Sequence, residues 1–167
     1  GLPMLLALPA LEQRFSKRNL MFVSVGLYVI GDLLIFIGKN SAACLLAGLV
    51  ITGLGIYGIF GITFAMQPDV IDYSEYKKNA SVAGLIAAFQ GFFVKGGMGL
   101  TSFIIGIFLK KGGYVANAVQ TSRALTHIEI CFIWIPIVLC GLIAVLTYFY
   151  KLDSIRGEMT EELEKRR

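Results

Sequence analysis

The stretch Gln90-Gly-Phe-Phe-Val-Lys-Gly-Gly-Met-Gly99 sets one lysine, Lys95, inside an apolar segment that runs from about Val82 to Leu109. No other basic residue lies within about a dozen positions on either side. An ammonium near the centre of a membrane span costs roughly 2.5–3.5 kcal/mol on insertion scales. Such a residue persists where it faces protein or water. Positions 7 or 11 apart share a helix face, and stepping from Lys95 gives Gly84, Ala88, Gly91, Gly99, Ser102 and Gly106, all small. The opposite positions, such as Phe93, Ile104 and Phe108, are bulky. Helix-facing surface in membranes is usually small and lipid-facing surface bulky. Lys95 is therefore expected on a face packed against protein or lining a cavity, as a substrate or coupling residue. The alternative is a buried ion pair, with Asp32 as partner.

Composition supports the membrane reading. The chain has 167 residues, 56% of them hydrophobic, and a mean hydropathy of +0.74. A soluble domain of this size has no core able to hide that much apolar surface. The net charge of +4 is not a nucleic-acid signal, because the basic residues sit in connections between apolar runs. The odd number of cysteines (Cys44, Cys131, Cys140), all in apolar segments without metal-ligand spacing, reads as packing thiols.

Outward from Lys95, the sequence divides into apolar runs. Leu20–Gly38, Ala42–Met66, Val82–Leu109 and Ile128–Tyr150 are each long enough to cross a bilayer. Leu2–Leu11 is too short and reads as the end of a truncated span, as if the chain began partway through a membrane helix. The expected fold is an all-α polytopic membrane bundle: a transmembrane domain over 1–150 and a cytoplasmic tail over 151–167. The glycines of Ala42–Met66 suit close helix packing or a bend. Pro136 should kink the last span, and Gly112-Gly113 marks a turn in a polar loop over Lys110–His127. Successive connections alternate sides. One side collects Arg14, Lys17, Arg18, Lys77, Lys78, Lys151, Arg156, Lys165, Arg166 and Arg167; the other has only Lys39, Lys110, Lys111 and Arg123. The excess of Lys and Arg places the first side, and with it the C-terminus, in the cytoplasm of a multi-pass protein of the cell membrane.

Several polar groups could carry chemistry. Gln90 lies five residues before Lys95, about 140° around a regular helix. The two could meet one ligand only if the helix bends or unwinds, for which Gly96-Gly97 gives scope. Gln90 could equally make an interhelical hydrogen bond. Asp32 could bind a cation or pair with Lys95, but the simpler reading is that it reaches the outer headgroups or Lys39. In the polar connection Gln67–Asn79, Pro68 suits the first position of a short helix. Asp69, Asp72 and Glu75 then share one face, either as a solvated surface or as an acidic gate meeting basic residues such as Arg14, Lys17 and Arg18. No convergent carboxylate set suggests a divalent-metal site. His127, the single histidine, has no nucleophile beside it, so an enzyme is not expected.

Together, Asp69-Val-Ile-Asp-Tyr-Ser-Glu-Tyr-Lys77 and Gln90-Gly-Phe-Phe-Val-Lys-Gly-Gly97 resemble the glycoside–pentoside–hexuronide:cation symporters of the major facilitator superfamily. The resemblance covers essentially the whole chain. It implies the C-terminal part of a twelve-helix sugar:cation symporter, from the end of helix eight through helix twelve, partnered by an absent N-terminal half. By resemblance, Lys95 matches the family's functional lysine on helix eleven. Gln90 matches a position near the sugar cavity, and Phe60 falls where relatives carry an aromatic near the sugar. Asp69, Asp72 and Glu75 match acidic residues linked to gating charge pairs. The implied ligands are a sugar or glycoside and a coupling Na⁺ or H⁺, with most cation-binding carboxylates in the other half and no further cofactor. Two departures stand out. Asn79–Gly84 lacks the arginine and glutamate that often follow the tyrosine motif, and Gly91 replaces a hydroxyl residue found in relatives. The competing reading is a small membrane-embedded assembly subunit with Lys95 in an inter-subunit ion pair.

Overall fold

A computed structural model describes residues 2–12, 14–39, 41–78 and 82–150. The expected cytoplasmic tail over 151–167 and the departure at 79–81 lie outside the described residues. Every regular element is helical: α1 (Leu2–Glu12), α2 (Lys17–Ile37), α3 (Ala42–Lys78), α4 (Ala83–Gly112), α5 (Ser122–Glu129), a π-helical turn (Ile130–Trp134) and α6 (Ile135–Tyr148). No strand occurs among the described residues. Four helical stretches are long and apolar enough to cross a membrane: α2, α3, α4, and α5 through α6 taken as one. The expected all-α polytopic bundle is what forms.

The helices start and stop where local chemistry allows. Ser16 caps α2, its hydroxyl accepting from the Asn19 N–H at 3.3 Å. Thr121 caps α5 by accepting from the Ala124 N–H at 3.2 Å. Such caps satisfy amides that the first turn leaves without partners. At the end of α4, Gly113 adopts φ +72°, and Tyr114 N–H returns to the Leu109 carbonyl at 3.0 Å. This left-handed stop needs a residue without a Cβ.

Several boundaries differ from the sequence expectation. α2 begins at Lys17, not Leu20. The third helix does not end at Met66; α3 continues through Gln67 and Pro68 to Lys78, so the acidic face lies on the same helix as the apolar span. Pro68 removes only the one hydrogen bond that would have reached the Phe64 carbonyl. α4 likewise runs on to Gly112, which shortens the expected loop after it to 113–121. The last span begins at Ser122. Just before Pro136 it widens into the π turn, in which Ile135 N–H bonds to the Ile130 carbonyl. The proline cannot donate to Phe132 in the usual i→i−4 way, and a π turn is one way a helix absorbs such a gap.

The centre of the packing is the antiparallel seam between α2 and α3. Small residues let the two backbones touch. A Cβ placed on Gly31 would come within 2.3 Å of Thr52 Oγ1, and one on Gly55 within 2.4 Å of the Tyr28 backbone nitrogen. Close approach of this kind drives helix association in membranes, where lipid is as apolar as the side chains. Leu8, Leu20, Met21, Val25, Ile62 and Cys140 form the buried core, so α1 and α6 close over the same seam. α4 stands apart. It touches α5 at the Gly112 end, where a Cβ would meet His127 at 2.9 Å, and most of its surface is open.

Candidate functional site

The sequence-predicted site residues fall into two groups. Lys95 and Gln90 both lie on α4, and Phe60 on α3. α4 is α-helical without interruption from Ala83 to Gly112, so it does not unwind at Gly96-Gly97. Gln90 and Lys95 therefore keep the roughly 140° separation of a regular helix. Lys95 is exposed and forms no ion pair with a described residue. The small face beside it is open: a Cβ on Gly84, Gly91, Gly99 or Gly106 would meet nothing within 4 Å. On the bulky face Phe93 is 66% exposed, while Ile104 and Phe108 are half-buried and Phe108 meets the His127 ring at 6.3 Å. Phe60 is 53% exposed and leans on Phe64, ring centroids 4.8 Å apart. The described residues do not gather Lys95, Gln90 and Phe60 around one cavity.

The acidic group is different. Asp69 is buried and forms an ion pair with Lys17 at 2.7 Å, each side chain only 6% exposed. The same oxygen, Asp69 Oδ2, accepts from the Tyr150 hydroxyl at 3.3 Å. The Lys17 ammonium also donates to the Ala65 carbonyl at 2.6 Å, one residue beyond the carbonyl that Pro68 leaves without its helical donor. Lys17 opens α2, where its charge opposes the positive end of the helix dipole, and the carboxylate offsets this. One carboxylate thus ties the start of α2 and the segment following α6 to α3. Of the expected meetings of the acidic face with Arg14, Lys17 or Arg18, the ion pair of Asp69 with Lys17 forms. Asp72 and Glu75 are half-buried and form no ion pair with a described residue.

At the opposite end of the bundle, Lys39 forms an ion pair with Glu129 and lies over the Phe36 ring, 4.2 Å from its centroid. Phe36 in turn meets Trp134 edge to face at 5.5 Å. Lys39 is therefore engaged by Glu129, and the expectation that Asp32 reaches Lys39 or the headgroups is not met. Asp32 is 2% exposed and turned into the α2–α3 seam, where its Oδ1 accepts from the Thr52 hydroxyl at 3.2 Å. Nor does it pair with Lys95. The seam positions carry the reason: Asp32 follows Gly31, and Gly31 is where α3 comes closest.

Sequence reasoning did not find Tyr150 or Glu129 as partners. Tyr150 reads as an interfacial aromatic, and Glu129 as an ordinary charge at a span boundary. The signal available was the antiparallel register: if Gly31 faces Thr52, Lys17 must face the region of Ala65–Asp69.

The MFS/sugar transport protein family matches residues 1–154. The chain is 34% identical over 160 residues to an isoprimeverose transporter of Lactiplantibacillus pentosus, covering 95% of this chain and 33% of that protein. It is 37% identical over 161 residues to an uncharacterized symporter of Bacillus subtilis (strain 168), covering 95% and 35%. It is 31% identical over 168 residues to a putative sulfoquinovose importer of Salmonella typhimurium, covering 97% and 35%. The chain thus spans about a third of the length of the curated relatives it matches. No solved structure matches it significantly.

Proposed function

We propose, for a chain that belongs to the MFS/sugar transport protein family, that it forms part of a carrier moving a sugar or glycoside together with Na⁺ or H⁺. The family match over residues 1–154 carries this reading. The names of the relatives, transporters and importers of sugars, favour it over an assembly subunit and over an enzyme.

The mechanism is alternating access, with the site near the bilayer midplane between two helical halves. This chain contributes one side of the cavity. Lys95, near the middle of α4, lines it and couples electrostatically to carboxylates on the other half. Gln90 donates to or accepts from sugar hydroxyls, and Phe60 stacks on a sugar ring. Because α4 is a continuous helix, Gln90 and Lys95 address different parts of the cavity and do not grip one group together. The open small-residue face of α4 and the exposure of Phe60 suit surfaces that another helical half would cover. The gating residues Asp69, Asp72 and Glu75 lie on the cytoplasmic side. Asp69 anchors the gate within this half through Lys17 and Tyr150, and Asp72 and Glu75 are available to pair across to the other half when that side closes.

Counterflow in vesicles containing the full-length protein, across a panel of sugars and glycosides with Na⁺ and pH varied separately, tests the proposal. One sugar class should exchange rapidly, and a gradient of Na⁺ or of protons should drive its accumulation. Failure of every sugar to exchange, with the protein correctly inserted, would remove the assignment.

A further inference from the structure

Asp32 stands inside a membrane-spanning helix, sealed in the α2–α3 seam, and the groups around it do not suit an ion. Its Oδ1 has one partner, the Thr52 hydroxyl at 3.2 Å. Its Oδ2 is fully buried and has no hydrogen-bond partner among the described residues. The elements packed on it bring no positive charge. α3 has no charged residue between Ala42 and Met66, and neither the π turn nor α6 has one. Lys39 lies seven residues on, past the end of α2, and is engaged by Glu129. Among the described residues, Tyr28 from α2 and Cys140 from α6 are ionisable side chains near enough to interact with its charge. Both are neutral in their ordinary state, and ionising either would add negative charge. A carboxylate in an apolar interior needs a cation or several donors, and without them it takes up a proton.

A metal cation fits poorly. Hard cations collect six or more oxygens, and at Asp32 the side chains bring only its own carboxyl and the Thr52 hydroxyl. The helices are also too close to admit a hydrated ion: a Cβ on Gly31 would already sit 2.9 Å from the Gly48 carbonyl oxygen. A proton needs one oxygen and no space.

We propose that Asp32 is a proton-binding site built into the α2–α3 seam, occupied while the seam is closed. The proton comes from a hydronium ion of the bulk solvent: one of its O–H bonds breaks, leaving water, as a new O–H bond forms on one carboxylate oxygen. With the proton on Oδ1, Asp32 donates to Thr52 Oγ1 across the same 3.2 Å, and Oδ2 becomes a neutral carbonyl oxygen. The site is separate from Lys95, Gln90 and Phe60, and the inference holds whatever the carrier moves.

Infrared spectroscopy on the full-length protein in lipid at neutral pH tests it. The wild type should show a protonated-carboxyl C=O stretch that Asp32→Asn removes. Thr52→Val, which deletes the one hydrogen-bond partner, should move that band to higher frequency. Added Na⁺ should leave it unchanged. Asp32→Asn, an isosteric neutral side chain, should insert and melt like the wild type. Should that variant fail to fold, the Thr52→Val shift decides alone. Carboxyl bands unaltered by either substitution, or a band that Na⁺ abolishes, would overturn the proposal.

Discussion

At Asp69 a single carboxylate oxygen accepts from both Lys17 and Tyr150, almost out of reach of water. Desolvating two charges is expensive, so their value lies in each other's presence, and removing one strands its partner at a cost of about 3–5 kcal/mol. Lys17→Ala and Asp69→Ala should each destabilise the full-length protein by an amount in that range, read from unfolding in detergent. The double variant should lose less than the two losses added together. Tyr150→Phe removes a long, neutral donor and should cost about 1 kcal/mol. Equal and additive losses would mean that the pair is not a unit. This site was half legible. The three-residue spacing of Asp69, Asp72 and Glu75 put them on one face and named Lys17 among the possible partners. It could not single out Asp69, because that depends on how α3 is rotated against α2.

The α2–α3 seam is the element on which the rest is mounted. Its glycines are not interchangeable. A Cβ on Gly55 would collide with Tyr28 backbone, which cannot swing aside, whereas one on Gly53 meets nothing within 4 Å. Gly55→Val should therefore abolish stable folding in membranes. Gly53→Ala should be neutral or stabilising by up to about 1 kcal/mol, since glycine is the poorer helix former. Comparing expression and melting temperature of the two variants separates packing from propensity. Hydropathy revealed that α3 spans, but not where it stops. The apolar run ends at Met66, while backbone hydrogen bonding carries on to Lys78, because helix formation does not require apolar side chains. The same distinction explains α4 reaching Gly112. Pro136 signalled a disturbance in the last span, yet a kink and a π turn have the same sequence signature. Pro136→Ala should let 130–135 relax to an ordinary α-helix, visible as slower amide exchange at those residues.

Among the described residues of the whole molecule, the four helical stretches long and apolar enough to cross a membrane follow the order of the apolar runs. The small-residue face around Lys95 was expected to meet protein or a cavity, and among the described residues that face of α4 is open. A periodic stripe tells which side of a helix can be approached, not what approaches it. The basic residues around the α1–α2 connection, at the end of α3 and in the tail predict a cytoplasmic C-terminus. A reporter fused there should be active only in its cytoplasmic form, and activity of an exported reporter would reverse the orientation and with it the side proposed for a gate at Asp69, Asp72 and Glu75. The central claim is that the lone intramembrane lysine couples transport, and the most direct measurement is sugar accumulation by the intact carrier bearing Lys95→Ala. The account predicts that membrane insertion matches the wild type while gradient-driven accumulation is lost; normal accumulation in that variant would contradict it.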